Sequence, residues 1–327
     1  MMELRVHKHP SKELCERMAV LSPANPFMTA PYLHVRTALG GEPYLLSLDD
    51  GGRMHAVCPA LLRSGYLTRS LEIISLPLLS EPDVFWAGLQ TWCRSENVSQ
   101  LEVNSFSSGQ TSIPLLDGER YRRSRCEYVL DLRQQKLWER ISSNHLRNVK
   151  RARNSHVSVH RSTEATAHRV HVALMASSMT RRRERGEQIP DHMASQLAEV
   201  TALTEGGAGE LFQAVGDGQV LSSILVLQSE RGGYYHSAGT SPEGMACGAS
   251  HLLVHDIAGI LQAEGKWEFN LGGVSEPGSG LEQFKRGFGT RRIDLQAVQC
   301  STATRLTRWL GAGASMLRHV ATAGTPR

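Results

Sequence analysis

The strongest constraint on the fold of this chain is an order of elements that occurs twice. In the first half, Pro43–Leu48 reads as a strand and Asp49-Asp50-Gly51-Gly52 as a turn. Strands over 54–62 and 71–76 follow, then a helix from Pro82 to about Glu96, with Val84, Phe85, Leu89, Trp92 and Cys93 at helical spacing, and a short strand at Gln100–Val103. In the second half, Glu210–Val215 is a strand, Asp217-Gly218 a hairpin turn, and Val220–Gln228 and Tyr234–Gly239 two more strands. A helix then runs from about Gly248 to Glu264, with Leu252, Leu253 and Ile257 on one face, and Trp267–Leu271 closes the set. Corresponding elements lie about 165 residues apart. A shared order of three strands, helix and strand implies two similar α/β units, each a mixed, mostly antiparallel sheet flanked by helices. Helices are expected between them over 134–154, 163–185 and 191–203.

The length of 327 residues suits two domains, and 40% apolar with 21% charged residues suits a cored globular protein. No apolar run reaches the roughly 18 residues of a membrane span. Charges stand in the first 17 residues where a signal peptide needs apolar ones, so a cytoplasmic protein is expected. Six scattered cysteines without a C-x-x-C pair read as reduced thiols rather than a disulfide or zinc framework. The net charge of +4 is mild, but residues 120–155 hold eleven Lys/Arg against Glu127, Asp131 and Glu139. Such a local excess attracts anionic ligands.

Several chemistries find no motif. A phosphate-binding G-x-x-x-x-G-K-[ST], a G-x-G-x-x-G opening a helix and a G-x-S-x-G elbow are all missing from the sequence. Cys247, His251 and His255 fall at i, i+4, i+8, but they read as face residues of an apolar helix, so no metal is expected. Two glycine-rich segments remain. In Gly244-Met245-Ala246-Cys247-Gly248-Ala249-Ser250, small residues sit between a strand and a helix, where unpaired N–H groups and the helix dipole favour an anion such as a pyrophosphate. In Asn270-Leu271-Gly272-Gly273, a strand ends in two glycines, and a loop is expected to lead to Phe284-Lys285-Arg286-Gly287-Phe288-Gly289. A lysine beside an aromatic wall suits an anionic transition state. The run Arg181-Arg182-Arg183-Glu184-Arg185 reads as a solvated helix end or a grip on phosphate oxygens.

Residues 125–300 resemble the Fem-type, or BioF-like, branch of the GNAT acyltransferase superfamily. Three stretches carry the likeness: 128–152, with its strand and basic helix; Gly248-Ala249-Ser250-His251-Leu252-Leu253 through Gly265; and Phe269-Asn270-Leu271-Gly272-Gly273 with the F-K-x-x-F-G-like run at 284–289. The resemblance implies two tandem GNAT-like folds: a non-catalytic unit over 1–124 and an acyltransferase unit over 125–300, before an amphipathic tail at 301–327. It implies attack of a neutral primary amine on an activated acyl group, with an acyl-CoA thioester as donor or, alternatively, an aminoacyl-tRNA ester as in cell-wall bridge synthesis. The acceptor would be a small-molecule, sugar or peptide amine, and no DNA partner is implied. On this reading Lys285 supplies charge at the oxyanion, Phe284 an apolar wall, and His236 beside Tyr235 a proton acceptor. Cys247, Gly248, Ala249 and Ser250 contact the acyl donor, while Arg183, Arg185, Asn270, Gly272 and Gly273 contact substrate. Two departures stand out: Asn270 replaces an acid usual before Leu-Gly-Gly, and Met245-Ala246-Cys247 replaces the basic Q/R-x-x-G-x-G/A loop of acetyl-CoA enzymes. A non-catalytic binding protein on a GNAT scaffold is the competing class. The tail, with Arg305, Arg308 and Arg318 opposite Trp309, either docks on the first domain or rests on a membrane surface.

Overall fold

The computed structural model describes residues 1–65, 68–184, 186, 193–274, 276 and 278–302. The first half runs β1 (Met2–Lys8), α1 (Lys12–Leu21), α2 (Ala30–Ala38), β2 (Glu42–Asp50), β3 (Arg53–Ser64), β4 (Arg69–Ile73), α3 (Pro82–Ser95) and β5 (Gln100–Val103). The chain crosses over through β6 (Glu119–Asp131) and α4 (Ser143–Asn154). The second half repeats the order: β7 (Ser158–Ser162), α5 (Ala165–Glu184), α6 (Met193–Glu205), β8 (Gly209–Gly216), β9 (Gln219–Gln228), β10 (Gly232–Thr240), α7 (Pro242–Cys247), α8 (Ala249–Ala263) and β11 (Glu268–Asn270), before α9 (Gly280–Arg286) and β12 (Arg291–Ser301).

Among the described residues the strands form one sheet, ordered β1-β2-β3-β4-β5-β12-β6-β11-β10-β9-β8-β7. Each half contains three antiparallel pairings and one parallel pairing, β4 with β5 and β10 with β11. A mixed α/β architecture of two similar units in tandem is therefore present. The halves are joined by an exchange: β6 pairs with β11 of the second half, whereas the last strand, β12, pairs with β5 of the first and with β6 along its length.

Local chemistry sets the element ends. The β8–β9 hairpin turns on Asp217 and Gly218, both at positive φ (49° and 72°), as a two-residue hairpin loop requires. Side-chain oxygens of Ser11, Thr29, Ser142, Ser241 and Ser279 cap α1, α2, α4, α7 and α9 by accepting from backbone N–H groups in the first turn. The Ser142 cap explains why the helix expected from residue 134 begins only at Ser143. The expected loop before Phe284 contains α9, because Ser279 caps it and Glu282 accepts from Gly278 N at 2.6 Å and from the Tyr128 hydroxyl at 2.7 Å.

The core lies in two layers on opposite faces of the sheet. One joins α1–α3 to the α5–α6 side of the second half through Leu225, Leu227 and Tyr234. The other packs α4 and α8 on Tyr128, Leu130, Phe212, Val226 and Phe269. Arg185 and residues 303–327, which hold nearly all of the expected tail, lie outside the described residues.

Candidate active site

The site grows from a split in the sheet. β10 and β11 pair only from Gly232 to Tyr234 and from Glu268 to Asn270. β11 then ends, and Gly272, at φ +71°, turns the chain away in a conformation that favours glycine. β10 continues to Thr240, so its edge faces the gap. In the pairing of β10 with β9, Tyr235 opposes Val226 and Ser237 opposes Leu225. His236 is thus the extra residue of a β-bulge, a device that re-aims a side chain.

The split opens a cavity of about 410 Å³ walled by both halves. Phe27, Tyr32, Arg36, Glu72, Ile74 and Phe106 come from the first half. Tyr234, Tyr235, His236, Gly272, Gly273 and Lys285 come from the second. Of the residues singled out in the sequence, five meet here: Tyr235, His236, Gly272, Gly273 and Lys285.

Lys285 is 5% exposed, and its Nζ donates to the Gly273 carbonyl at 2.6 Å. It lies 5.8 Å from the centroid of the Tyr235 ring, within cation–π range. Desolvation lowers its pKa from 10.5 to about 8, although the nearby carboxylate of Glu127 pulls it up. A Cβ added at Gly272 would sit 3.3 Å from the Tyr234 hydroxyl and 3.6 Å from Lys285 Nζ, so the glycine keeps this corner open.

Behind the corner stands a carboxylate that the sequence reading used only in a charge count. Glu127, 1% exposed, pairs with Arg125 Nη2 at 2.9 Å and accepts from Asn270 Nδ2 at 2.8 Å, the Tyr234 hydroxyl at 3.1 Å and Ser107 N at 3.0 Å. Asn270 in turn accepts from Gly272 N at 2.8 Å. An amide at 270 thus links the buried acid to the turn, with Glu127 supplying negative charge from the neighbouring strand. Asn270 itself, 2% exposed, lines a second cavity of about 400 Å³ that also contains Glu127. Burial and the Glu127 charge both raise the pKa of Tyr234, so it remains a neutral donor.

His236 Nε2 lies 3.7 Å from Glu199 Oε1 on α6. The interaction with His236 lowers the Glu199 pKa against its burial, and Arg36 assists. A histidine backed by a carboxylate is an arrangement suited to accepting a proton.

The other expected residues lie elsewhere. Phe284 belongs to a ring cluster in which His145 and His251 centroids are 4.6 Å apart, His251 and Phe284 5.0 Å, and Phe284 and Phe288 5.2 Å. His145 Nε2 donates to the Phe284 carbonyl at 2.8 Å. Burial holds His251 down to about 4, so it is neutral in this layer. Cys247 ends α7, Gly248 turns at φ +84°, and Ala249 and Ser250 open α8. None of the four lines the cavity. A Cβ at Gly248 would come within 2.6 Å of the Asn148 carbonyl, so α4 lies directly against this turn. Arg183 is exposed in the last turn of α5 and does not line the cavity. Among the described residues no group of three or more His, Cys, Asp or Glu is placed to hold a metal, and no helix is long and apolar enough to cross a membrane.

A split parallel pair within a mixed sheet, flanked by helices on both faces, is the arrangement of a GNAT-like fold. Residues 141–286, from just before α4 to the end of α9, match the family model described as an acetyltransferase (GNAT) domain. This part of the chain is similar to a GNAT domain, and the whole chain shares the fold of the solved structures that follow. The crystal structure of FemX aligns with a TM-score of 0.65 at 12% identity, covering 90% of this chain and 96% of that one. A tandem GNAT protein from the clavulanic acid biosynthesis pathway aligns at 0.52 and 12% identity, covering 92% and 99%. L-PGS from Bacillus licheniformis aligns at 0.50 and 11% identity, covering 94% and 99%. At these identities the likeness concerns the fold. No curated protein matches the chain by sequence.

Proposed function

We propose that the protein is an N-acyltransferase that moves an acyl group from an acyl-CoA thioester to a primary amine held in the cavity between its halves. The observation that carries the reading is the buried Lys285, poised at the split with a pKa of about 8 and sharing its cavity with a histidine backed by a carboxylate. Burying an ammonium costs several kcal/mol without partners, and such groups concentrate at functional sites. The expected units then divide the work: 125–300 supplies the chemistry and 1–124 shapes the acceptor wall.

The amine nitrogen attacks the acyl carbonyl, and the carbonyl electron pair moves onto oxygen. Lys285 in its protonated form stabilises that oxyanion inside a low-dielectric site. His236 takes the proton released by the attacking amine, with Glu199 holding the imidazolium. Collapse of the tetrahedral intermediate re-forms the carbonyl and breaks the carbon–sulfur bond. The thiolate leaves and takes up one proton, and no covalent enzyme intermediate is required. The open edge of β10 offers backbone amides to a linear, amide-containing donor arm. A solved tandem GNAT protein is described in a form without AcCoA, which makes that ligand a natural donor to test here.

A second reading, an aminoacyl-tRNA donor, is favoured by α4. This helix exposes Arg147, Lys150, Arg151 and Arg153 and packs over the turn before α8. A covered turn disfavours a pyrophosphate there, and an exposed basic face favours a large polyanion. The test is to incubate the full chain with acyl-CoAs of varied chain length and a panel of primary amines, and to follow product by mass spectrometry. Amide product with release of free CoA supports the first reading. Absence of product with every CoA, together with tRNA binding that weakens steeply with salt, replaces it by the second.

A further inference from the structure

Building on acyl transfer in the junction cavity, we infer that the acceptor is a free amino acid whose carboxylate is clamped by Arg36. This residue, in the last turn of α2, lines the cavity from the half expected to be non-catalytic. Its Nη2 donates to Glu72 Oε2 at 3.2 Å, whereas its buried Nε has no partner. A guanidinium carries five N–H donors; Glu72 and the Tyr32 hydroxyl engage this one, and leaving its buried Nε unpaired is costly. The local charge also leaves room for an anion. Glu72 is shared between Arg36 and Arg63, the latter at 3.4 Å, and it also accepts from Asn104. Glu199, the other acid in the field of Arg36, is engaged with His236.

Groups for both ends of a zwitterion line this one cavity. The guanidinium suits a carboxylate, and His236, backed by Glu199, receives the amine. Phe27, Ile74 and Phe106 form an apolar wall for a side chain. The volume of about 410 Å³ is at the small end of ligand sites and suits a metabolite-sized acceptor. A single guanidinium already shared with Glu72 favours a monoanionic carboxylate over a phosphate dianion.

The experiment is calorimetric titration of the full chain with each common α-amino acid, its amide, and phosphoethanolamine. At least one amino acid is expected to bind, its amide at least tenfold more weakly. Arg36→Gln should lose at least tenfold in that affinity, and Arg36→Lys, which keeps the charge, should recover part of it with an unchanged circular dichroism spectrum. Equal binding of amide and acid, an unaffected Arg36→Gln, tighter binding of phosphoethanolamine, or no binding by any amino acid at millimolar concentration overturns the assignment. The binding readout separates the two claims. Transfer to amines lacking a carboxylate, indifferent to Arg36, preserves the acyltransferase and removes the clamp. Arg36-dependent binding without transfer from any donor does the reverse.

Discussion

Replacing Lys285 with methionine should make the protein more stable and much less active. Bringing a lysine from 10.5 down to about 8 costs about 3 kcal/mol of folding free energy at any pH below 8. The hydrogen bond to Gly273, lost in the variant, offsets roughly 1 kcal/mol. Methionine fills a similar volume without a charge, so Lys285→Met should gain about 2 kcal/mol at pH 7. The sign follows from proton counting. The unfolded lysine keeps its proton up to about 10.5, whereas the folded one releases it near 8. Between these values the unfolded state binds more protons, so the wild type recovers stability as pH rises and the advantage of methionine shrinks. Urea unfolding of both proteins at pH 7 and pH 10 measures this directly. The reasoning is refuted if Lys285→Met is the less stable protein at pH 7, or if the gap is the same at both pH values.

Other perturbations probe the supporting structure. Glu127→Gln leaves Arg125 without its buried counter-charge and should cost about 3–5 kcal/mol, read as a lowered urea midpoint. His236→Ala should reduce kcat/KM about 100-fold and Glu199→Gln less, with the double variant no worse than His236→Ala if the two act as a unit. Gly272→Ala forces a side chain into φ +71° and into the space beside Lys285, so it should cost about 1 kcal/mol and raise KM for the acceptor. Gly239→Ala would place a Cβ 2.2 Å from the Leu174 carbonyl carbon of α5; a loss of about 3 kcal/mol is expected in thermal unfolding.

Much of the fold was legible because its signals are local. The Asp217-Gly218 turn, the apolar runs of β8 and β9 and the apolar face of α8 each announce themselves within a dozen residues. What stayed hidden depends on distant partners. β12 pairs with strands that end at Val103 and Asp131, far earlier in the chain, and nothing in 291–301 specifies that exchange. α9 has only seven residues amid glycines and is held by Tyr128, 154 positions away from Glu282. In the site, Lys285, Gly272 and Gly273 stood out because a cation and two glycines flank a strand end. Glu127 did not, since the arginines before it disguised the first half of a strand read only from Tyr128, although a lone acid in Cys126-Glu127-Tyr128-Val129 is an unusual interruption. Arg36 and Glu199 left no signal, because their importance arises only where α2 and α6 meet the bulge at His236.

The central claim is that acyl transfer takes place at the split between β10 and β11. The most direct measurement is kcat/KM of Lys285→Ala with the acyl donor and amine that give product with the wild type, folding being verified by circular dichroism. A fall of about 100-fold or more is the expected result. A loss of only a few-fold would place the reaction elsewhere in the molecule.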